Sequence, residues 1–130
     1  MKLIKNISKT IALLAIVFSC TNNTESSKEE DLAELAALQE EIVLLVDSGV
    51  CSENFDCEYI AFGSKACGGP KTYLVFSTSI DVELLEQKVA TYNALENSFN
   101  KKWGVGSDCY FVTPPPEVKC IDGACVGIYE

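Results

Sequence analysis

The sequence predicts a small α+β domain: an antiparallel sheet with a C-terminal hairpin, covered by two helices and stapled by disulfides. Three observations carry this reading. Segments 29–46 and 82–103 repeat apolar residues at three- and four-residue steps, the period of a helix with one buried face. Short runs rich in β-branched and aromatic residues lie between and after them. Six cysteines follow residue 50, an even number. The order is helix, two strands, helix, hairpin, with no internal repeat. Residues 29–130 are therefore read as a single domain with a modest core.

In chain order, the first helix spans Glu29 to Val46, with Leu32, Leu35, Leu38, Ile42 and Leu45 on one side. Glu29, Glu30 and Asp31 suit the positive end of its dipole, and Gly49 offers a left-handed stop. A polar loop separates Cys51 from Cys57. Glu58 to Phe62 and Lys71 to Ser77 read as strands, parted by turns at Gly63 to Ala66 and Cys67-Gly68-Gly69-Pro70. The second helix runs from Val82 to Trp103. Thr78, Ser79 and Asp81 are its candidate N-caps, and Leu85, Val89, Tyr92, Leu95, Phe99 and Trp103 form its apolar face. Asn93, Glu96, Asn97 and Asn100 read as its wet flank. Lys101 and Lys102 suit its negative end, and Gly104 and Gly106 end it. Cys109 to Val112 is a candidate extended piece. Pro114-Pro115-Pro116 cannot form a paired central strand. Asp122-Gly123 between apolar runs is the strongest hairpin signal, and it sets Cys120 opposite Cys125. That pair is close enough for a direct bridge, or each cysteine can reach elsewhere. Six cysteines allow fifteen pairings.

Residues 1–19 precede the domain and read as an export signal. Lys2, Lys5 and Lys9 come before the apolar run Ile11 to Phe18, and Ser19 supplies a small residue. The run is too short for a transmembrane helix, which takes about 20 apolar residues. Val17-Phe18-Ser19-Cys20 resembles the lipobox of bacterial lipoproteins, with Phe18 bulkier than the usual residue. The resemblance implies cleavage before Cys20 and several acyl chains, of the palmitate kind, carried on it. Each buried CH₂ adds about 0.8 kcal/mol to such an anchor. Thr21 stands where an aspartate often retains lipoproteins in the inner membrane, so an outer-membrane address is implied. Residues 20–28 read as a lipidated flexible tether. Lys28-Glu29-Glu30-Asp31 is similar to the Lys-plus-acid surface-export signals of some Bacteroidetes lipoproteins, and equally suits a helix's first turn.

With Cys20 assigned to lipid, Cys51, Cys57, Cys67, Cys109, Cys120 and Cys125 imply three disulfides in an exported chain. A zinc or redox reading lacks the two-residue cysteine spacing, and the chain has no His. No metal or cofactor is expected. From Cys20 onward the chain holds 7 lysines and 19 acids, a formal charge of −12. Such a chain repels nucleic acid and anionic membrane surfaces alike.

No catalytic constellation emerges. Ser or Cys nucleophiles want a base that the missing His would supply. Glu83 with Glu86, and the cluster Glu53, Asp56 and Glu58, are carboxylate candidates for glycoside hydrolysis, against the reading of a solvated face. Lys65, two residues before Cys67, resembles the lysine that some small inhibitors present to trypsin-like proteases. Trp103, Tyr110 and Phe111 form a candidate aromatic ledge for glycan or peptide, against the reading of core packing beneath the prolines. Cys67-Gly68-Gly69-Pro70, the aromatic strand, the helix with Tyr92-Asn93 and Glu96-Asn97, Ser107-Asp108-Cys109 and the final cysteine hairpin together resemble small secreted cysteine-containing bacterial proteins. That resemblance implies a shared fold and no chemistry. The expected function is a non-catalytic binding role at the cell envelope. The membrane is a partner through the lipid on Cys20, and an envelope protein, peptide or glycan is the candidate ligand. A structural envelope protein without a discrete ligand is the alternative.

Overall fold

The computed structural model describes residues 25–129. The predicted export signal and Cys20 lie outside them. Helix α1 spans Lys28–Asp47, one residue longer at each end than its periodicity indicates. A capping box starts it: the Ser27 hydroxyl accepts the Glu30 N–H, and the Glu30 carboxylate accepts the Ser27 N–H. Strands β1 (Cys57–Phe62) and β2 (Thr72–Ser77) pair antiparallel, with Cys57 opposite Ser77 and Phe62 opposite Thr72. Helix α2, Val82–Trp103, is capped by Asp81, whose side chain accepts the Leu84 N–H, and ends at Gly104. Strands β3 (Glu117–Ile121) and β4 (Ala124–Ile128) form the C-terminal hairpin. Its turn uses φ 52° at Asp122 and 81° at Gly123. Two consecutive positive φ angles define the hairpin turn that Asp-Gly favours.

The helices run antiparallel. Glu41 meets Lys88, Gln39 meets the Tyr92 hydroxyl, and Asp31 meets Lys102. Leu35 and Ile42 of α1 pack with Leu85, Val89 and Tyr92 of α2 on Phe62 and Phe76. Phe62 stacks on Tyr92 with ring centroids 4.5 Å apart. Leu32, expected in the buried stripe, is 47% exposed. At that level the helix seam is taken by Asp31 with Lys102 and Trp103.

The expected sheet is divided into two two-stranded ladders, β1–β2 and β3–β4. Alternation along the strands explains why. Ile60, Phe62, Leu74 and Phe76 face the helices. Cys57 and Val75 therefore face away, and there they meet β4: Cys57 is bonded to Cys125, and Val75 closes on Gly127. The hairpin thus packs by side chains on the far side of β1–β2 instead of extending its ladder. The Cys109 to Val112 piece pairs with no strand.

Candidate binding surface

The helix flank expected to be wet is the support of the surface. Asn93 accepts the Gly63 N–H at 2.7 Å and donates to Ala61 O at 3.2 Å. Glu96 is 5% exposed; it accepts the Ser64 N–H at 2.6 Å and pairs with Lys71. Asn100 donates to Ser64 O at 2.8 Å. Of the four residues, Asn97 alone is exposed. The polar face is buried because the β1–β2 connection lies across it and brings backbone groups that need partners. Gly63 makes this possible. Its φ is 81°, and a Cβ there would lie 2.9 Å from Lys71 Cβ and 3.1 Å from the Glu96 carboxylate. Burial, then the Glu96 charge, pushes the Tyr92 hydroxyl up to about 12.

This anchored connection in turn braces the loop that follows α2. Cys67 is bonded to Cys109. Lys65 Nζ donates to Asp108 at 2.6 Å and to Tyr110 O at 2.7 Å. The Lys65 side chain is only 10% exposed, so it is a brace and is not presented to a protease. Hydrogen bonding to Lys65, and then its charge, holds the Asp108 carboxyl below the usual carboxylate range. From this braced backbone Tyr110 and Phe111 stand out at 78% and 72% exposure, the most exposed large apolar side chains among the described residues. They do not fill core beneath the prolines.

Trp103 does not join them as a ledge. Its indole N–H donates to Asp31 at 2.8 Å, and the same carboxylate accepts from Lys102 at 2.8 Å. Hydrogen bonds from Lys102, Ser26 and Trp103, in that order of weight, lower Asp31 to about 2. A depressed carboxyl contributes stability above its unfolded value near 4, and loses it as pH falls through the folded value. The Trp103 indole proton resonance should therefore titrate with a midpoint near pH 2, and Asp31→Asn should abolish that transition. A midpoint near 4 would show that these donors do not reach the carboxyl.

The other bridges are Cys51–Cys120 and Cys57–Cys125. Cys120 and Cys125 face each other in register, yet each reaches outside the hairpin. The Cys51 N–H donates to Gly123 O at 3.0 Å, which lays the 50–57 segment along the hairpin. The sulfurs of Cys51, Cys57 and Cys125 lie within 4.8 Å of one another. They belong to these adjacent bridges and offer no free thiolate set.

Glu83 and Glu86, like Glu53, Asp56 and Glu58, are exposed. None of them lines the cleft of about 150 Å³ bounded by Val46, Asp47, Gly49, Phe76, Ser77 and Cys125. Small-molecule sites run from roughly 300 Å³ upward. Among the described residues no helix is long and apolar enough to cross a membrane.

The sequence does not show Ser27 as the N-cap, Asp31 as the clasp for Lys102 and Trp103, or Asn93, Glu96 and Asn100 as the anchor of the connection. The available signal was the three- and four-residue spacing of those polar groups, flush with the apolar stripe through Tyr92. Compared with protein-family models, curated proteins and solved structures, the chain finds no match.

Proposed function

We propose that this chain is an envelope-anchored lipoprotein, held by lipid on Cys20 with an outer-membrane address, whose domain makes a non-catalytic contact through the loop carrying Tyr110 and Phe111. The exposure of those two aromatics on a braced loop carries the reading. Large aromatics left in water represent forgone burial worth about 1.5–3 kcal/mol each. A loop already ordered by a disulfide and by Lys65 loses little further freedom on contact. Aromatic side chains are also the common anchors of interfaces. The carboxylate candidates face solvent away from the cleft, which favours binding over hydrolysis.

A photo-crosslinking residue at Phe111 in the full-length chain, expressed in its own envelope, tests this. Adducts are expected at 111, and none at the control position Glu86 on the exposed side of α2. No adduct at 111, or equal adducts at both positions, would sink the reading. Tyr110→Ser with Phe111→Ser should change folding stability by no more than about 0.5 kcal/mol, so any lost contact would report the surface and not the fold.

A further inference from the structure

Resting on that contact reading, we infer that the surface met by Tyr110 and Phe111 is the lipid bilayer holding Cys20, so that the loop seats the domain on its own membrane. The first support is topological. The chain enters α1 beside the last turn of α2: Lys102 Nζ donates to Ser26 O at 3.0 Å, and the Trp103 indole to Asp31. The aromatic loop leaves α2 at the same place, through Gly104. Entry point and aromatics therefore share one end of the molecule. The opposite end carries the Asp122-Gly123 turn, against Cys51.

The second support is reach. Seven residue steps separate Cys20 from the N-cap Ser27, a span of at most about 25 Å. Helix α1, at 20 residues, is about 30 Å long. The aromatic end thus stays within a short distance of the lipid anchor, where a weak surface affinity is amplified by high local concentration.

The third support is charge. Residues 25–31, 63–71 and 96–113, which build this end, hold five lysines against six acids. The rest of the chain after Cys20 holds two lysines against thirteen acids. The repulsion expected between an acidic chain and an anionic membrane therefore acts on the remainder and spares this end, which turns the aromatics toward the lipid. Tyr and Phe suit the headgroup boundary, where an apolar ring and a polar tip are both satisfied. Lys101, exposed at the end of α2, can lay its stem along the same boundary.

The test uses the acylated full-length protein in vesicles of phosphatidylethanolamine and phosphatidylglycerol with brominated acyl chains. Phe111→Trp adds one reporter to the baseline set by Trp103, and Ile121→Trp places another near the opposite end. The 111 reporter should lose more than about half its emission and shift to the blue, as interfacial aromatics do, and the 121 reporter should change little. Water-like, unquenched emission at 111 overturns the inference, and so does equal quenching at both positions. If 111 is unquenched in vesicles but crosslinks to an envelope protein or glycan, the contact reading stands and the bilayer is not its partner. If neither occurs, both fall.

Discussion

Replacing Cys51, Cys120, Cys57 and Cys125 by alanine together is expected to lower the melting temperature by about 20–40 °C. Each of these bridges closes a sequence separation of 69 or 68 residues. Loop-closure entropy assigns a bridge of that span about 4 kcal/mol. The two loops nearly coincide, so the second adds less than the first, and a joint loss of about 5 kcal/mol is the working figure. For a domain near 100 residues each kcal/mol moves the melt by about 4–8 °C. The structure adds a reason specific to this fold. The β3–β4 hairpin shares no ladder with β1–β2, and an isolated two-stranded hairpin is marginal in water. Without the bridges its attachment rests on contacts such as Gly127 with Val75 and Pro115. Either bridge removed alone should cost about 2–4 kcal/mol, because the other still holds the hairpin in place. Calorimetry of the three variants distinguishes these cases. A shift under about 5 °C in the quadruple variant would mean that side-chain packing holds the hairpin unaided.

Glu96→Ala is expected to destabilise the domain by about 2–4 kcal/mol and to loosen the 63–71 connection. Removing one partner of a buried ion pair costs about 3–5 kcal/mol. Lys71 is half exposed, which screens its share and brings that figure down. Against this, the Ser64 N–H loses its acceptor, and an unsatisfied buried group costs about 1–3 kcal/mol, while the Tyr92 hydroxyl keeps Gln39. Glu96→Gln keeps an acceptor for Ser64 and should recover part of the loss. Amide exchange reads the local effect: protection at Ser64 and Lys65 should fall in Glu96→Ala before global unfolding. A variant with unchanged exchange there would show that Asn93 and Asn100 suffice to moor the connection.

How much of this was legible in the sequence depended on whether the information was local. Helix α2 was read from Val82 to Trp103 without error, because its caps and apolar period lie within the segment. The Asp122-Gly123 turn was equally plain, since two positive φ angles in succession demand those residue types. The three bridges followed from an even cysteine count, but their pairing did not, because a pairing is a property of the folded chain. The division into two ladders was hidden for the same reason. It turns on Cys57 and Val75 facing away from the helices, and nothing in their sequence says what meets them there. Charge weighed without neighbours makes Glu96 read as solvated and leaves a presented Lys65 among the alternatives. Glu96 is buried by the 63–71 connection and Lys65 is held against the loop after α2, contacts that only the tertiary structure reveals. Tyr110 and Phe111 were singled out, but whether they would lie in the core or stand in water was a matter of the same loop.

The pairing also bears on how such a chain matures. A polypeptide crossing a membrane in sequence order delivers Cys51 and Cys57 long before Cys120 and Cys125, their partners 69 and 68 positions later. In that interval the nearest available thiols are each other and Cys67. An oxidising compartment favours the short wrong links first. Under the proposed export, reaching the native set takes thiol exchange after translocation, and the chain's maturation then leans on the isomerase capacity of that compartment more than a protein with sequential bridges would.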